Sequence, residues 1–404
     1  MAALVEKPCG DDRPAIGGVR PLFEQRVPIV RSELPEEAIR NGLGESLQKI
    51  LQSGMLTNNR QVERFERLAA EHLGVAHCVA VSSCTAGLML TLRCLELRGE
   101  IILPSFTFFA SAHAAVWNGL EPVLADCDAE TFNIDPEEVR RAITPRTSAI
   151  LGVHIFGNPA PSAELEAIAR KYGLQLVFDA AHGFGSRAGG RSVGGAGDAE
   201  VFSLSPTKLL VAGEGGLVAT NREELARRLR AARNYGDAGT YDCEVLGLNA
   251  RLTEMQAALG IAGLGGLEAR VERRNRHAAL YETRLAAQPG LAFQRIGDGC
   301  RSSRKDFAVL IEEGAFGVSR DFLHAALARD NVETRKYFDP PLHRQRLYRD
   351  CRRGELPNTE SISRRALSLP IYSSLATATV DAIAGRILEI RDLALAQSRV
   401  AAEA

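Results

Sequence analysis

The chain has 404 residues, of which 45% are apolar and 25% are charged, with 49 Lys plus Arg against 50 Asp plus Glu. This length and composition predict a globular protein of two domains, and the balanced charge does not favour nucleic acid or an anionic membrane as a partner. The eight cysteines form no Cys-x-x-Cys pair and no zinc-like spacing with histidine, so no metal site is predicted.

The N-terminal segment is polar and rich in Gly and Pro, and residues 1–20 are predicted to be a mobile tail. It lacks the apolar core of a signal peptide, and no apolar run approaches the length that spans a bilayer. We therefore expect a cytoplasmic protein with reduced thiols.

Apolar residues recur at helical spacing over residues 34–51 and 61–73, with turn residues at 53–59 between them. Short apolar runs bounded by Gly, Pro and Asp then alternate with helical stretches such as 163–172. The alternation predicts a large α/β domain, residues 21–275, with a mainly parallel mixed sheet covered by helices. The predicted strands are residues 77–81, 101–103, 123–125, 149–153, 176–178, 201–202 and 217–219.

The rest of the chain is mostly helical in pattern, with a break at the glycines of 263–266. It mixes helices with a short strand, which predicts a smaller α+β C-terminal domain, residues 276–404. The predicted elements are helices at 223–233, 253–287, 320–329 and 380–394 and a strand at 307–311.

Polar side chains follow two of the predicted strands. Asp179 ends one apolar strand, and His182 comes three positions later. A carboxylate is rarely placed against a core unless it is paired, and a protonated pyridine nitrogen is one such partner. Ser203 and Lys208 follow the next strand in a nearly uncharged stretch. A partly desolvated lysine is a usable amine nucleophile, although a lone lysine is more often a solvated surface group.

Two further strand ends carry candidate residues. Cys84 and Thr85 begin a predicted helix, where unpaired N–H groups favour a phosphate, although the pattern alone is more typical of a plain helix cap. Phe108 belongs to an aromatic cluster that alone is more typical of a core, yet an exposed ring there could stack on a flat group. The glycines of 183–197 do not complete a dinucleotide-binding fingerprint, because no acidic residue follows at the required distance.

An ordered series of motifs runs along the chain, and it resembles that of the DegT/DnrJ/EryC1/StrS sugar aminotransferases, which are fold-type I pyridoxal-phosphate enzymes. Within that family the chain is most similar to nucleotide-sugar 4-aminotransferases of the DesI and VioA kind, largely through segments 119–126 and 144–154. The motifs are Leu-Thr-Asn-Asn at 56–59, Ser-Cys-Thr-Ala at 83–86, Pro-Ser-Phe-Thr-Phe at 104–108, Gly-Val-His-Ile-Phe-Gly at 152–157, Phe-Asp-Ala-Ala-His at 178–182, Phe-Ser-x-x-x-x-Lys at 202–208, Glu-Gly-Gly at 214–216, Asn-Ala-Arg at 249–251 and Leu-Ser-Leu-Pro at 367–370.

The resemblance implies a role for each cofactor-side residue. Lys208 is implied to form the Schiff base with pyridoxal 5'-phosphate and to shuttle the proton during transfer. Asp179 is implied to keep the pyridine nitrogen protonated, His182 to bond the phenolic oxygen and Phe108 to stack on the ring. The implied phosphate ligands are Cys84, Thr85, Ser203 and, from a neighbouring subunit, Asn249.

The resemblance also implies the partners: L-glutamate as amino donor, a nucleotide-linked keto sugar as acceptor, and a homodimer that shares its active sites. The expected reaction converts dTDP-4-keto-6-deoxy-D-glucose into dTDP-4-amino-4,6-dideoxy-D-glucose, with a 3-keto sugar nucleotide or a keto-cyclitol as alternative acceptor. Arg251, Tyr337 and His343 are candidates for the substrate side, since a diphosphate needs cationic or hydrogen-bonding partners. Surface charge and packing explain these three residues equally well.

Two rival functions and one departure from the family pattern stay open at this stage. Related dehydratases carry histidine in place of the lysine, so Lys208 argues against that chemistry. A non-enzymatic cofactor-binding protein would not need all four of these residues together: Asp179, His182, Ser203 and Lys208. Relatives commonly have Gly-Pro where this chain has Arg60-Gln61, which leaves the path of that loop undetermined by the sequence.

Overall fold

The computed structural model describes residues 20–34 and 42–403, with side chains up to residue 397. The predicted mobile tail, except for Arg20, and part of the predicted helix 34–51 lie outside the described residues. Within those two ranges, no helix has the length and apolar character needed to cross a membrane.

The described strands form one eight-stranded and two three-stranded sheets. All seven strands predicted for the large domain are present in the large sheet, so that prediction is confirmed. The strands are β1 (His77–Val81), β2 (Glu100–Pro104), β3 (Glu121–Ala125), β4 (Thr147–Val153), β5 (Gln175–Asp179), β6 (Arg187–Ala188), β7 (Arg191–Ser192), β8 (Ala199–Ser203), β9 (Gly216–Thr220), β10 (Leu291–Phe293), β11 (Cys300–Arg301), β12 (Phe307–Ile311), β13 (Arg352–Arg353) and β14 (Ala366–Leu369).

Most described helices match the predicted ones, with end points that differ by a few residues. The predicted helix 34–51 is an exception: Leu34 lies outside a helix, and the described helix begins at Gly44. The last helix is much longer than the predicted 380–394. The helices are α1 (Gly44–Ser53), α2 (Arg60–Leu73), α3 (Cys84–Cys94), α4 (Phe109–Trp117), α5 (Pro136–Ala142), α6 (Ser162–Tyr172), α7 (Glu223–Ala232), α8 (Glu254–Leu264), α9 (Leu267–Leu285), α10 (Glu313–Phe316), α11 (Arg320–Arg329), α12 (Pro357–Arg365) and α13 (Thr377–Glu403).

The large sheet has the strand order β1-β9-β8-β5-β4-β2-β3-β13. Among the described strands of this sheet, β9 alone runs in the opposite direction to the others. Successive side chains of β1 alternate between two cores: Val79 and Val81 pack with α3, α4 and α7, whereas Cys78 and Ala80 pack with α2 and α8. Both faces of the sheet are therefore covered, which explains the continuous apolar character of its strands.

A separate core, in the C-terminal part of the chain, lies around the sheet β10-β12-β14. It includes side chains from α9, α11 and α13. Tyr281 stacks on Phe307 with a centroid separation of 5.1 Å. The segment 20–34 also packs here, since Val27 pairs with Val332 although the sequence placed this segment in the large domain. The predicted boundary at residues 275 and 276 falls inside α9, and this division of the chain stays a prediction.

The loop at Arg60-Gln61, which departs from the family pattern, is held by hydrogen bonds to a buried carboxylate. Glu254 accepts hydrogen bonds from the backbone N–H groups of Asn59 at 2.9 Å, Gln61 at 2.8 Å and Val62 at 3.0 Å. These groups belong to the first turn of α2, which has no acceptors of its own, and a negative charge is favourable at that end of a helix. Arg60 and Gln61 are thus accommodated as the first two residues of α2.

We predict that Glu254→Ala lowers the free energy of unfolding by about 2–3 kcal/mol, because one buried and two partly buried N–H groups lose a charged acceptor. Denaturant titration followed by circular dichroism measures the change. Glu223→Ala is the matched control, since Glu223 is an exposed first-turn glutamate of α7, and it should change the stability by less than about 0.5 kcal/mol. Equal losses in the two variants would contradict the capping role.

Candidate active site

The carboxyl ends of β1, β2, β4, β5 and β8 meet at one edge of the sheet because these strands are parallel to one another. Ligands bind at this edge in open α/β sheets. The candidate residues predicted from the sequence follow four of these strands: Cys84 and Thr85 follow β1, Phe108 follows β2, Asp179 ends β5, and Ser203 and Lys208 follow from β8.

Asp179 is 5% exposed, and each of its carboxylate oxygens has a donor. The Ser111 hydroxyl donates to Oδ2 at 2.7 Å, and the Ala181 N–H donates to Oδ1 at 3.0 Å. Ser111 lies on α4, and its backbone N–H in turn donates to the Phe108 carbonyl at 3.2 Å. The sequence reasoning did not find Ser111, whose only signal is its place one turn after Phe108.

Lys208 lies in the turn that follows β8, and its backbone N–H donates to the Ser205 carbonyl at 3.0 Å. Burial, assisted by the charge of Lys305, lowers the pKa of the Lys208 ammonium to about 8. With this pKa, about one tenth of the amine is neutral at pH 7, far more than for an ordinary lysine, and the neutral amine is the nucleophilic form. Ser203 is buried beside the same turn, with its hydroxyl 3.3 Å from that of Ser205.

His182 is held through its ring. The Phe156 N–H donates to His182 Nδ1 at 3.3 Å, and the two rings lie nearly parallel with a centroid separation of 6.4 Å. Burial, together with the charges of Lys208 and Lys305, keeps the pKa of His182 well below its usual value. A neutral ring that accepts at Nδ1 carries its proton on Nε2, so His182 offers one N–H donor at that atom.

Cys84 and Thr85 are the first residues of α3, and the Ser83 hydroxyl caps this helix by accepting from the Ala86 N–H at 3.1 Å. Their N–H groups lie in the first turn, where the helix offers no acceptor. The Cys84 thiol is buried, 3.9 Å from Asp179 Oδ1, and burial with that nearby charge raises its pKa well above the usual value. A side chain at Gly216 would lie 2.6 Å from the Cys84 nitrogen, so glycine there lets β9 pass close to the helix start.

Three further candidate residues are Phe108 and Asn249, which are exposed, and Arg251, which is partly buried. Phe108 is 43% exposed, as a ring that stacks on a ligand needs to be. Arg251 pairs with Val81 at the end of β1, and its Nη1 donates to Asn234 Oδ1 at 2.7 Å. Asn249 is exposed two residues earlier.

The remaining substrate-side candidates come from the C-terminal part of the chain. Burial and the nearby charge of Asp306 raise the pKa of Tyr337 to about 12, so its phenol stays protonated as a donor. His343 is buried, with Nδ1 2.8 Å from the Ser105 hydroxyl and Nε2 2.7 Å from the Glu360 carboxylate. Both ring nitrogens of His343 are therefore engaged within the chain.

A buried ion pair that the sequence reasoning missed lies beside these residues. Lys305 Nζ contacts both carboxylate oxygens of Asp306, at 2.8 Å and 3.0 Å. The Lys305 N–H donates to the carbonyl of Phe156 at 3.1 Å, and Phe156 is the residue that holds His182. Adjacent opposite charges in a loop are typical of a solvated surface, which is why the sequence gave no signal.

Comparison with known proteins shows which family the chain belongs to. A model of the DegT/DnrJ/EryC1/StrS aminotransferase family matches residues 38–388. The chain is 32% identical over 359 residues to a dTDP-4-amino-4,6-dideoxy-D-glucose transaminase of Escherichia coli, covering 88% of this chain and 96% of that protein. It is 34% identical over 352 residues to a UDP-N-acetyl-3-dehydro-alpha-D-glucosamine 3-aminotransferase of Acidithiobacillus ferrooxidans, covering 86% and 94%.

A solved structure of DesI in the presence of its TDP-sugar product superimposes with a TM-score of 0.88 at 36% identity, covering 96% of this chain and 97% of that one. The fold is thus the α/β fold of the fold-type I aminotransferases. The chain belongs to the DegT/DnrJ/EryC1/StrS aminotransferase family, and its enzyme class is that of the sugar aminotransferases.

We predict that iodoacetamide modifies Cys84 at least about 100-fold more slowly than the exposed Cys243 at pH 8, because the raised pKa keeps the Cys84 thiol protonated and its environment excludes the reagent. Peptide mass spectrometry of timed samples measures both rates. In guanidinium chloride the two rates should become similar. Comparable rates in the folded chain would show that Cys84 is not buried as described.

Proposed function

We propose that the chain uses pyridoxal 5'-phosphate, with Lys208 as its Schiff-base lysine, to transfer the amino group of L-glutamate to a nucleotide-linked keto sugar. The observation that carries this proposal is the meeting of a partly neutral lysine amine, a buried carboxylate and a neutral histidine at one sheet edge. Lys208, Asp179 and His182 supply these groups.

The donors and acceptors at this edge fit the cofactor. The Asp179 carboxylate accepts one N–H and one O–H and has lone pairs left for a protonated pyridine nitrogen. The Nε2–H of His182 suits a phenolic oxygen. The first turn of α3 at Cys84 and Thr85, with the Ser203 hydroxyl, suits a phosphate, and the exposed ring of Phe108 suits stacking.

The bound cofactor supplies an electron sink for the carbon that loses a proton. The chain supplies the remaining chemistry. Lys208 Nζ would act first as the amine nucleophile and then as the base that takes the proton from the amino-acid α-carbon. As an acid it would then give that proton to the cofactor and not back to the amino acid. Ser111 orients the Asp179 carboxylate throughout, and His182 stays a neutral donor because its pKa is low.

For the acceptor we propose dTDP-4-keto-6-deoxy-D-glucose, aminated to dTDP-4-amino-4,6-dideoxy-D-glucose. The names of the Escherichia coli relative and of the DesI complex support a thymidine nucleotide sugar. The Acidithiobacillus relative acts, by its name, on a UDP-linked 3-keto sugar, which keeps 3-amination as the second candidate. Arg251 and Tyr337 are the proposed contacts to the sugar nucleotide, and His343 would contact it only by exchanging one of its internal hydrogen bonds.

We further propose a homodimer in which Asn249 completes the phosphate site of the neighbouring subunit. The loop around Asn249 exposes apolar side chains, which supports an interface there. Tyr241 is fully exposed, and Leu246 is 72% exposed. Cytoplasmic location with reduced thiols is part of the same proposal, and the described cysteines are all unpaired.

Borohydride reduction of the cofactor-loaded protein is expected to attach a pyridoxyl group to Lys208, which peptide mass spectrometry locates.

Lys208→Ala is expected to lower transamination by at least about 1,000-fold, because both nucleophile and proton shuttle are lost, while cofactor binding persists. Lys171→Ala, which removes an exposed lysine, should keep full activity. A label on any other lysine, or appreciable turnover by Lys208→Ala, would refute the assignment.

With L-glutamate as donor, we expect kcat/KM to be at least about tenfold higher for dTDP-4-keto-6-deoxy-D-glucose than for a UDP-linked 3-keto sugar. Mass spectrometry and NMR of the product identify the aminated carbon. The Lys208→Ala protein serves as the blank for non-enzymatic amination. A preference for the 3-keto sugar would replace the proposed acceptor with the second candidate.

A further inference from the structure

Phe156 has a backbone conformation that a residue with a side chain rarely adopts. Its φ is 58° and its ψ is 15°, which is the left-handed region, and the next residue, Gly157, is also left-handed with a φ of 88°. Glycine adopts this conformation without steric cost, whereas a bulky aromatic residue is strained in it. Strain of this kind persists only where the surrounding structure holds it, and it is concentrated at functional sites.

Other segments of the chain hold the turn around Phe156 by its backbone. The Ile155 N–H donates to Asn133 Oδ1, and the Ile155 carbonyl accepts from Gln294 Nε2, each at 3.1 Å. One position later, the Lys305 N–H donates to the Phe156 carbonyl, also at 3.1 Å. The backbone polar groups of these two residues are thus engaged up to the last one, the N–H of Phe156.

The ring of Phe156 is fully buried among aromatic side chains. It stacks on the ring of Phe338, with centroids 5.8 Å apart. Phe106 and Phe132 pack edge-to-face on it, with centroids at 6.1 Å and 6.4 Å. This packing accounts for the ring but not for the backbone conformation, since a buried ring does not need a left-handed residue.

The N–H of Phe156 donates to Nδ1 of His182 at 3.3 Å. A ring nitrogen accepts a hydrogen bond only through its lone pair, so Nδ1 carries no proton while this bond is present. The bond therefore excludes both the Nδ1–H tautomer and the imidazolium, and it leaves a neutral ring with its proton on Nε2. Among the residues that the structure describes, none is a hydrogen-bond partner of Nε2, so this donor is available to a ligand.

We propose that Phe156 is a positioning residue whose left-handed turn holds a backbone N–H against His182 and so fixes the Nε2–H tautomer of the ring. A backbone N–H is suited to this task because it only donates. A hydroxyl can rotate and accept instead, and a side-chain amide can present its oxygen, so either would allow both tautomers. The inference rests on the proposed role of His182, since a phenolic oxygen of the cofactor needs a donor at Nε2.

The test removes this one N–H and keeps the ring. Phenyllactic acid, the hydroxy acid with the side chain of phenylalanine, is introduced at position 156 by suppression of a stop codon, and it replaces the amide N–H by an ester oxygen. ¹⁵N NMR of the cofactor-free, full-length chain labelled at histidine reports which nitrogen of His182 is protonated. His182→Gln assigns the signals. The unsubstituted chain should show a protonated Nε2 and an unprotonated Nδ1.

In the ester variant, the ratio of the Nδ1–H to the Nε2–H tautomer should rise by at least about fivefold, because the hydrogen bond that favours Nε2–H is lost. The matched control is the same replacement at Phe132. Phe132 is also buried and left-handed, with a φ of 64°, but its N–H donates to the Asp128 carbonyl at 3.0 Å. This control should leave the tautomer ratio of His182 unchanged.

Two ordinary substitutions separate the backbone from the ring. Phe156→Gly removes the ring but keeps the N–H and suits the left-handed conformation, so it should keep the Nε2–H tautomer. Phe156→Val is branched at Cβ and opposes that conformation, so it should shift the ratio in the same direction as the ester. If Phe156→Val does not fold, the ester variant decides.

A proton on Nδ1 in the unsubstituted chain would overturn the inference whether or not any variant folds. An unchanged ratio in the ester variant, an equal shift in the Phe132 control, or loss of the Nε2–H tautomer in Phe156→Gly would also overturn it. These outcomes are separate from the proposed transamination. Failure of Lys208 to bind the cofactor, with the expected tautomer shift, would refute the proposed function and leave the role of Phe156 standing, whereas transamination without a shift would do the reverse.

Discussion

The parallel pairing of β4, β5 and β8 is the constraint on which the site depends. It fixes the backbone of Asp179 from both sides. The His154 N–H donates to the Asp179 carbonyl at 3.2 Å, and the Ala180 N–H donates to the Val201 carbonyl at 2.8 Å. A shift in the register of either neighbouring strand would move the carboxylate away from Ser111 and from the turn that carries Lys208. The chemistry of the edge is thus set by backbone hydrogen bonds in the middle of the sheet.

A second buried pair supports the loop that follows Asp179. His154 Nε2 lies 2.9 Å from Glu200 Oε2, and Glu200 Oε1 accepts from the N–H groups of Gly194 and Ala196 at 2.8 Å each. His154 Nδ1 accepts from the Ala160 N–H at 2.9 Å. Every polar atom of this pair has a partner, as buried polar networks require. The network ties β8 to the segment that contains Ala160 and to the segment that contains Gly194 and Ala196.

The sequence was sufficient to predict the strands and helices, which follow from periodicity, and the site residues that stand as polar groups at strand ends. Buried parallel strands read as apolar runs, and Asp179, His182 and Lys208 stand out because polar groups interrupt those runs. Ser111 gave no such signal, since it is one small residue in an alanine-rich helix and its partner lies 68 positions away. Lys305 and Asp306 read as surface charges because burial depends on β11 and β12 packing over the site. The placement of residues 20–34 against the C-terminal part was missed for the same reason: pairing of Val27 with Val332 leaves no local pattern.

The same segment, residues 20–34, contacts both the C-terminal part of the chain and the large domain. It is bound to the C-terminal part through the Val27 N–H, which donates to the Asn331 carbonyl at 2.8 Å. Its other end reaches the large sheet, where the Ser32 hydroxyl donates to the carbonyl of Pro206, two residues before Lys208. The segment therefore connects the C-terminal part of the chain to the turn that carries Lys208.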